Sequence, residues 1–504
     1  MINQILYGLF YLLTVLYIFF VSYEQSIEQN NYSFLLVLAL GFFVYKLGSI
    51  CNRSNHNADQ HKNEQTIGDS HQFILLSIIL LGCVLRLYSC NKHCAEPLSD
   101  FKDFYDAIIL FSRGECIYTK GLGYVIPYAY LLRYMHEGIF PIQLINIFVY
   151  AISSLFAYWL CSKVFMSKAS GLLAAFFISI YPPFVFYSEI VASEHIWFMY
   201  LTIVFFLEFI LLEGMDDSSS WKKRVSIAFF LGFLIQLTAL TRGNSSILLP
   251  IIIFMLVFAN MKALRKVSLV VLAICLGFLT PKIYIKYLEQ SSGISLISDK
   301  PTSVVLVIGT NVETHGICDS DYPKQLRERV TEKYGKDVDS WLPTAIEFVF
   351  DKWKNNTVQQ FQLACEKISL VAGERSHQKW VFLWHKKAED GKLISTVSKQ
   401  DIEQCKTLSP IYQSLYSIFS LFLLFIIMVL GKSRQLVLYS IILFLVACLL
   451  LQGIHEYQPR YSLIYFWGLS ILGSAVGVRS IPGIDKLCIQ KAVSFATLKF
   501  WKKP

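Results

Sequence analysis

Three aspartates stand three residues apart in Asp100-Phe-Lys-Asp103-Phe-Tyr105-Asp106. On a helix that spacing brings them close together along the surface. Ser99 or Asp100 reads as the helix N-cap, and acidic groups at a helix start are favoured by the peptide dipole. The plainer reading is a solvated acidic helix start. The sharper one is a general base or a cation site at a membrane surface, where a carboxylate takes the proton of an acceptor hydroxyl during group transfer.

Further candidates are scattered along the chain. Glu194 falls in Val191-Ala-Ser-Glu-His195, at the start of an apolar stretch, with Tyr187 and Glu189 just before it. It either caps a helix or works opposite the aspartates, because an ionisable residue at a membrane boundary is a functional candidate. Arg242 lies in Leu240-Thr-Arg-Gly-Asn244, and Arg460 in Ile454-His-Glu-Tyr-Gln-Pro-Arg-Tyr461. Each either reaches to lipid headgroups or holds an anionic phosphate, for which the planar guanidinium fork is suited. His455 and Glu456 could orient Arg460 or contact a sugar. Lys367 is placed as a phosphate contact by position alone, and Trp380 and Trp384 read as interface anchors. Gly309–Gly316 is not a phosphate loop, since the closing Gly-Lys-Ser/Thr is missing.

The elements that must position these residues are apolar. The chain of 504 residues is 55% hydrophobic and 16% charged, where soluble domains carry about a quarter charged residues. The apolar residues come in runs of about 20, the length a helix needs to cross about 30 Å of hydrocarbon. Twelve spans are expected, at 4–22, 33–50, 72–89, 143–162, 170–187, 195–213, 225–241, 245–260, 267–286, 410–431, 435–453 and 461–478. The first run has no basic start and no small-residue cleavage site after it, so it reads as a retained helix rather than a leader. The fold class is thus an all-α polytopic membrane protein of about 12 spanning helices with an α-rich or mixed outer domain.

The net charge of +9 fits basic loops that hold one face of the membrane, and no basic stripe interleaved with aromatics argues for nucleic acid. Lys46, Arg53, Lys62, Lys163, Lys168, Lys222, Lys223, Arg224, Lys262, Arg265, Lys266, Lys432, Arg434 and a basic tail all fall on one side with twelve spans. That side is expected to be cytoplasmic, with both termini. The organisation reads as helices over 1–89, a first outer segment at 90–142 and helices over 143–286. An outer domain at 287–409, helices over 410–478 and the tail at 479–504 follow. Of 12 cysteines, Cys116, Cys318, Cys365 and Cys405 fall in outer segments and could form an external disulfide.

Taken in order, these pieces resemble the bacterial family 39 glycosyltransferases. Ser99-Asp100-Phe101 with Tyr105, Ala107 and Gly114 is similar to that family's first outer loop. Pro182-Pro183, Ser193-Glu194, Thr241-Arg242, Gly309-Thr-Asn311, Lys367 and His455-Glu456 with Arg460-Tyr461 look like its later landmarks. The group includes dolichyl-phosphate-mannose protein mannosyltransferases and aminoarabinose transferases of lipid A, within the membrane-embedded C-type superfamily. The resemblance implies inverting transfer of a sugar from a polyprenyl-phosphate donor to a glycan, lipid or protein acceptor at the outer face of a bacterial plasma membrane. It implies Asp100 as general base, Arg460 and Lys367 on the leaving phosphate with Arg242 third, and Glu194 on a sugar. Asp103, Tyr105, His455, Glu456 and Tyr461 are carried over as substrate contacts.

Three features depart from the pattern, one being that two spans precede the helix leading into the motif-bearing loop where one is usual. Phe101 follows Asp100 where protein mannosyltransferases have Glu, which counts against protein O-mannosylation, and the run at Gly123-Tyr-Val-Ile-Pro lacks the family's Pro-Pro-Gly-Tyr-Pro. No cofactor is expected, a divalent cation being the one alternative. The competing functions are a polysaccharide polymerase or ligase, and a transporter or lipid flippase. A transporter would be marked by internal repeats and mid-membrane charges.

Overall fold

The computed structural model describes residues 63–93, 95–214, 221–259, 264–297, 300–319, 321–335, 341–372, 384–389 and 392–478. The expected spans 4–22 and 33–50, Lys46, Arg53, Lys62, Lys262, Trp380 and the basic tail lie outside these residues.

The chain enters as α1 (Asn63–His93), followed by α2 (Asp100–Ser112) and α3 (Leu122–Leu132). Next come α4 (Ile139–Val164), α5 (Lys168–Ile180), α6 (Pro182–Tyr187), α7 (Glu194–Gly214) and α8 (Trp221–Thr241). A 3-10 turn (Gly243–Ile247) leads to α9 (Leu248–Ala259) and α10 (Leu264–Ser292). Six described helices are long and apolar enough to cross a membrane: His71–His93 within α1, α4, α7, α8, Val267–Ser292 within α10, and Lys432–Ile454. Short connections make neighbours antiparallel. The end of α1, the starts of α4 and α7 and the end of α8 therefore share one face of the bundle.

Beyond α10 the chain forms α11 (Lys300–Ile308), α12 (Asp321–Tyr334), α13 (Leu342–Asn355) and α14 (Thr357–Ala372). A hairpin of β1 (Lys386–Glu389) and β2 (Lys392–Ser395) pairs antiparallel with Lys387 opposite Ile394. Then come α15 (Lys399–Ile426), α16 (Lys432–Ile454), a 3-10 turn (Pro459–Ser462) and α17 (Leu463–Gly473). Among the described residues, the segment at 287–409 is thus mainly helical with one hairpin. Val307, Leu326, Val330, Trp341, Ala345 and Phe348 give α11–α13 a small core of their own.

Three expected spans are corrected. The run at 170–187 is two helices, because Pro182 and Pro183 lack the N–H groups that would bond the carbonyls of Ile178 and Ser179. The wholly buried Arg86 of α1 serves those carbonyls instead, donating to Ser179 at 2.5 Å and to Ile178 at 3.1 Å while stacking 4.2 Å over Tyr150. The run at 245–260 opens as a 3-10 turn, and that at 461–478 is an 11-residue α-helix between 3-10 turns. A fourth helix, α3, is too short to read as a span, yet buries Tyr124, Val125 and Tyr128.

Close backbone contact fixes α8 against α10. A Cβ on Gly232 would lie 1.9 Å from the Ile274 carbonyl oxygen, and one on Gly277 1.9 Å from that of Phe229. Small residues allow such contact between apolar helices, where dispersion replaces the hydrophobic drive.

Candidate active site

Asp100 is the first residue of α2, with Ser99 in the N-cap position at φ 51° and making no side-chain cap. The carboxylate is 40% exposed, so the opening of the site lies on its side. Glu194 is the first residue of α7 and its side chain is only 2% exposed. Arg242 follows the last residue of α8, and Arg460 sits in the 3-10 turn after α16. Helix ends on one face of the bundle thus deliver all four groups.

They form a chain of alternating charge. Arg460 Nη2 donates to Asp100 Oδ2 at 3.4 Å, and Arg460 Nε lies 3.9 Å from Glu194 Oε1. Arg242 Nη2 donates to the same Glu194 oxygen. Lys120 Nζ stands 3.7 Å from Asp100 Oδ1. Three cations therefore meet the carboxylates of Asp100 and Glu194, with Glu456 close by, so an anionic ligand would bind here by displacing a carboxylate. Aromatic faces hold the guanidinium planes: Tyr461 lies 5.6 Å from Arg242 and 5.7 Å from Arg460, with Trp197 under Arg242 and Phe101 beside Arg460. Among the described residues, Glu194 Oε2 and Arg242 Nε are buried and have no hydrogen-bond partner. Buried groups of that kind normally find one, in protein, water or ligand.

The remaining sequence candidates divide. Glu456 belongs with the cluster: Gln458 donates to it at 3.0 Å, and burial raises its pKa while the nearby Arg460 opposes the rise. His455 is half-buried beside it, and desolvation with the neighbouring Lys367 lowers its pKa to about 4, leaving the imidazole neutral at pH 7. Lys367 stands apart. Its ammonium is buried and donates to the Gly309 carbonyl at 2.6 Å and the His455 carbonyl at 3.0 Å, and burial lowers its pKa to about 7. It ties α14 to the turn after α11 and to the end of α16, and is not turned toward the carboxylates. Asp103 is exposed one turn along α2 and, among the described residues, makes none of the cluster's ion pairs. Tyr105 faces the Arg113–Glu137 pair.

Glu189 belongs to a second constellation. It accepts from Ser89 and bonds His93 Nδ1 at 2.9 Å, with His385 Nε2 3.4 Å from its other oxygen. His93 Nε2 reaches Asp401 at 3.4 Å, and Lys92 binds Asp401 at 2.7 Å. This cluster joins α1, the loop after α6, the hairpin and α15. Trp384, next to His385, packs edge-on against Phe101 at 5.3 Å and forms a wall beside Asp100. Lys120, Trp197 and Arg86 were not singled out by sequence, and Trp384 was read there only as an interface anchor. Cys116, Cys318, Cys365 and Cys405 are free thiols in the structure.

No family model and no curated protein matches the chain. Among solved structures it is similar to the archaeal oligosaccharyltransferase AglB from Archaeoglobus fulgidus in complex with an inhibitory peptide and a dolichol-phosphate. There the TM-score is 0.46 at 14% identity, over 86% of this chain and 52% of that one. An Archaeoglobus fulgidus oligosaccharyltransferase tethered with an acceptor peptide gives 0.46 at 15% identity, over 84% and 51%. ArnT from Cupriavidus metallidurans bound to undecaprenyl phosphate gives 0.37 at 9% identity, over 85% and 81%. The chain spans about half the length of the two oligosaccharyltransferase structures.

Proposed function

We propose that the chain is a membrane glycosyltransferase, moving a sugar from a polyprenyl-phosphate donor to an acceptor hydroxyl at the outer face of a bacterial plasma membrane. One observation carries the reading: a half-exposed carboxylate, Asp100, is paired to a nearly buried guanidinium, Arg460, beside two further cations, Lys120 and Arg242.

The chemistry follows from the charges. The donor phosphate competes for Arg460 and Lys120, and in binding them it frees Asp100. Asp100 then takes the acceptor hydroxyl proton as the oxygen attacks the anomeric carbon from the side opposite the phosphate. The bond from that carbon to the phosphate oxygen breaks, the configuration inverts, and polyprenyl phosphate leaves with its electron pair. Arg460, Lys120 and Arg242 stabilise the charge that grows on the leaving oxygen; preorganised cations are a large term in such steps. Glu194 holds the two guanidinium groups apart and its free oxygen receives a sugar hydroxyl. Asp103 lines the approach of the acceptor.

The test is transfer by the purified protein in lipid nanodiscs supplied with polyprenyl-phosphate sugars, with product configuration read by NMR. Appearance of an inverted glycoside with wild type and none with Asp100→Asn supports the reading. Retained configuration, or equal turnover by the variant, rejects it.

A further inference from the structure

The two helices α13 and α14 each carry an apolar face that the protein leaves open. On α13, Ile346 is 55% exposed and Phe350 67%, with Trp353 half-buried on the same stripe. On α14, Val358 is 70% exposed and Phe361 62%, and Cys365 follows one turn later. The opposite face of α13 is already used, since Ala345 and Phe348 lie in the small core shared with α11 and α12. Two faces, one packed and one bare, are more apolar surface than a water-bathed helix of this length carries.

The place of α14 says what covers the bare faces. α14 meets α16 at Gly453, where a Cβ would touch Ile368 at 3.2 Å and Ala364 at 3.4 Å. Within one turn of that contact, α16 exposes Leu450 and Ile454 at the end of a membrane-spanning helix. The open face of α14 therefore continues the lipid-facing surface of α16. Lys354 ends the α13 stripe next to Trp353, the pairing of a snorkelling cation and an interfacial indole found where a helix lies at headgroup depth.

We infer that α13 and α14 lie in the headgroup–acyl boundary of the leaflet on the site face, with their open apolar faces in lipid. The occupant is the bilayer that the long helices cross, not a protein partner. Such helices bind by buried apolar area and by attraction of their cations to anionic lipid. Through the bond of Lys367 to the His455 carbonyl, the boundary then sets the height of the turn that carries Glu456 and Arg460.

Two exposed thiols provide the test in the unmodified protein, reconstituted in phosphatidylcholine–phosphatidylglycerol vesicles. Cys318 and Cys365 are both exposed in the isolated chain. A charged maleimide, read by peptide mass spectrometry, is expected to modify Cys365 severalfold more slowly than Cys318; equal rates overturn the inference. A second measurement identifies the cover. A nitrobenzoxadiazole probe on Cys365, in a variant lacking the other cysteines, is expected to be quenched by doxyl lipid and not by aqueous iodide. A probe at Gln325→Cys, exposed on α12, should behave in the opposite way. Quenching of the Cys365 probe by iodide, or by neither agent as protein cover would give, overturns it.

Discussion

Arg460 reaches Asp100 at 3.4 Å across 360 positions of sequence, and in doing so joins the end of α16 to the start of α2. An ion pair that is 10% exposed on one side and 40% on the other is neither a free surface pair nor a sealed core pair. In the proposed reaction its partners exchange with the donor phosphate.

Asp100→Asn is expected to fold and insert normally, because the carboxylate stands at the open edge of the cluster. Sugar transfer should fall by about 10²–10⁴-fold, the usual range for loss of a general base. Binding of polyprenyl phosphate should hold or tighten, since Arg460 no longer has a competing carboxylate. Transfer rates and lipid binding measured on one preparation check both halves. Weaker phosphate binding would count against the exchange of partners.

Arg460→Ala should lower transfer by about 10²–10³-fold, comparable to removing one preorganised donor from a developing anion. Arg460→Lys restores charge without the planar fork and should recover only part of the loss. A full recovery by lysine would show that charge alone matters at this position.

Glu194→Ala leaves Arg242 and Arg460 facing one another with little solvent. Breaking a buried pair by removing one partner costs about 3–5 kcal/mol, so the unfolding midpoint should drop. Double substitution with Arg242→Met should recover part of that stability. An additive loss in thermal unfolding would refute the coupling.

Lys367 gives a pH dependence of definite sign. Its pKa is about 7 in the fold, against the ordinary 10.5 of an unfolded lysine. Between those values the unfolded chain holds the extra proton, so stability rises with pH across that window and is flat below it. The midpoint difference between wild type and Lys367→Met should therefore shift in favour of wild type from pH 7 to pH 9. A difference that does not change with pH would contradict a buried, deprotonating amine.

Arg86→Met should be severely destabilising without touching the site. Pro182 and Pro183 leave the carbonyls of Ile178 and Ser179 dependent on this guanidinium, and each buried unsatisfied acceptor costs about 1–3 kcal/mol. Loss of folded protein after detergent extraction is the readout.

The membrane helices were legible because their requirement is one of composition alone: enough consecutive apolar residues. The break at Pro182-Pro183 is a local rule that the apolar length overrode in the sequence reading. Helix α3 runs the other way, for Gly123 and Pro127 argue against a helix and burial of Tyr124 and Tyr128 prevails. Asp100, Glu194, Arg242 and Arg460 could be named because each is charged beside an apolar run. Lys120 had no such marker, and its meeting with Asp100 arises from tertiary folding. Glu189 was noted only as a sequence neighbour of Glu194, and its partners were not legible, since His93 lies 96 positions away. Lys367 was named for its position in the chain, and the structure puts its charge on two carbonyls.

Gly232 and Gly277 leave no room for a methyl group between α8 and α10. Nine residues further along α8, about 14 Å at the helical rise, the chain ends in Thr241 and passes to Arg242. A screen for inactivating changes would thus find alanine at either glycine among its hits, deep in the bilayer and far from any sugar. Such a lesion would tilt the shaft that aims the guanidinium, and adding more donor would not repair the aim.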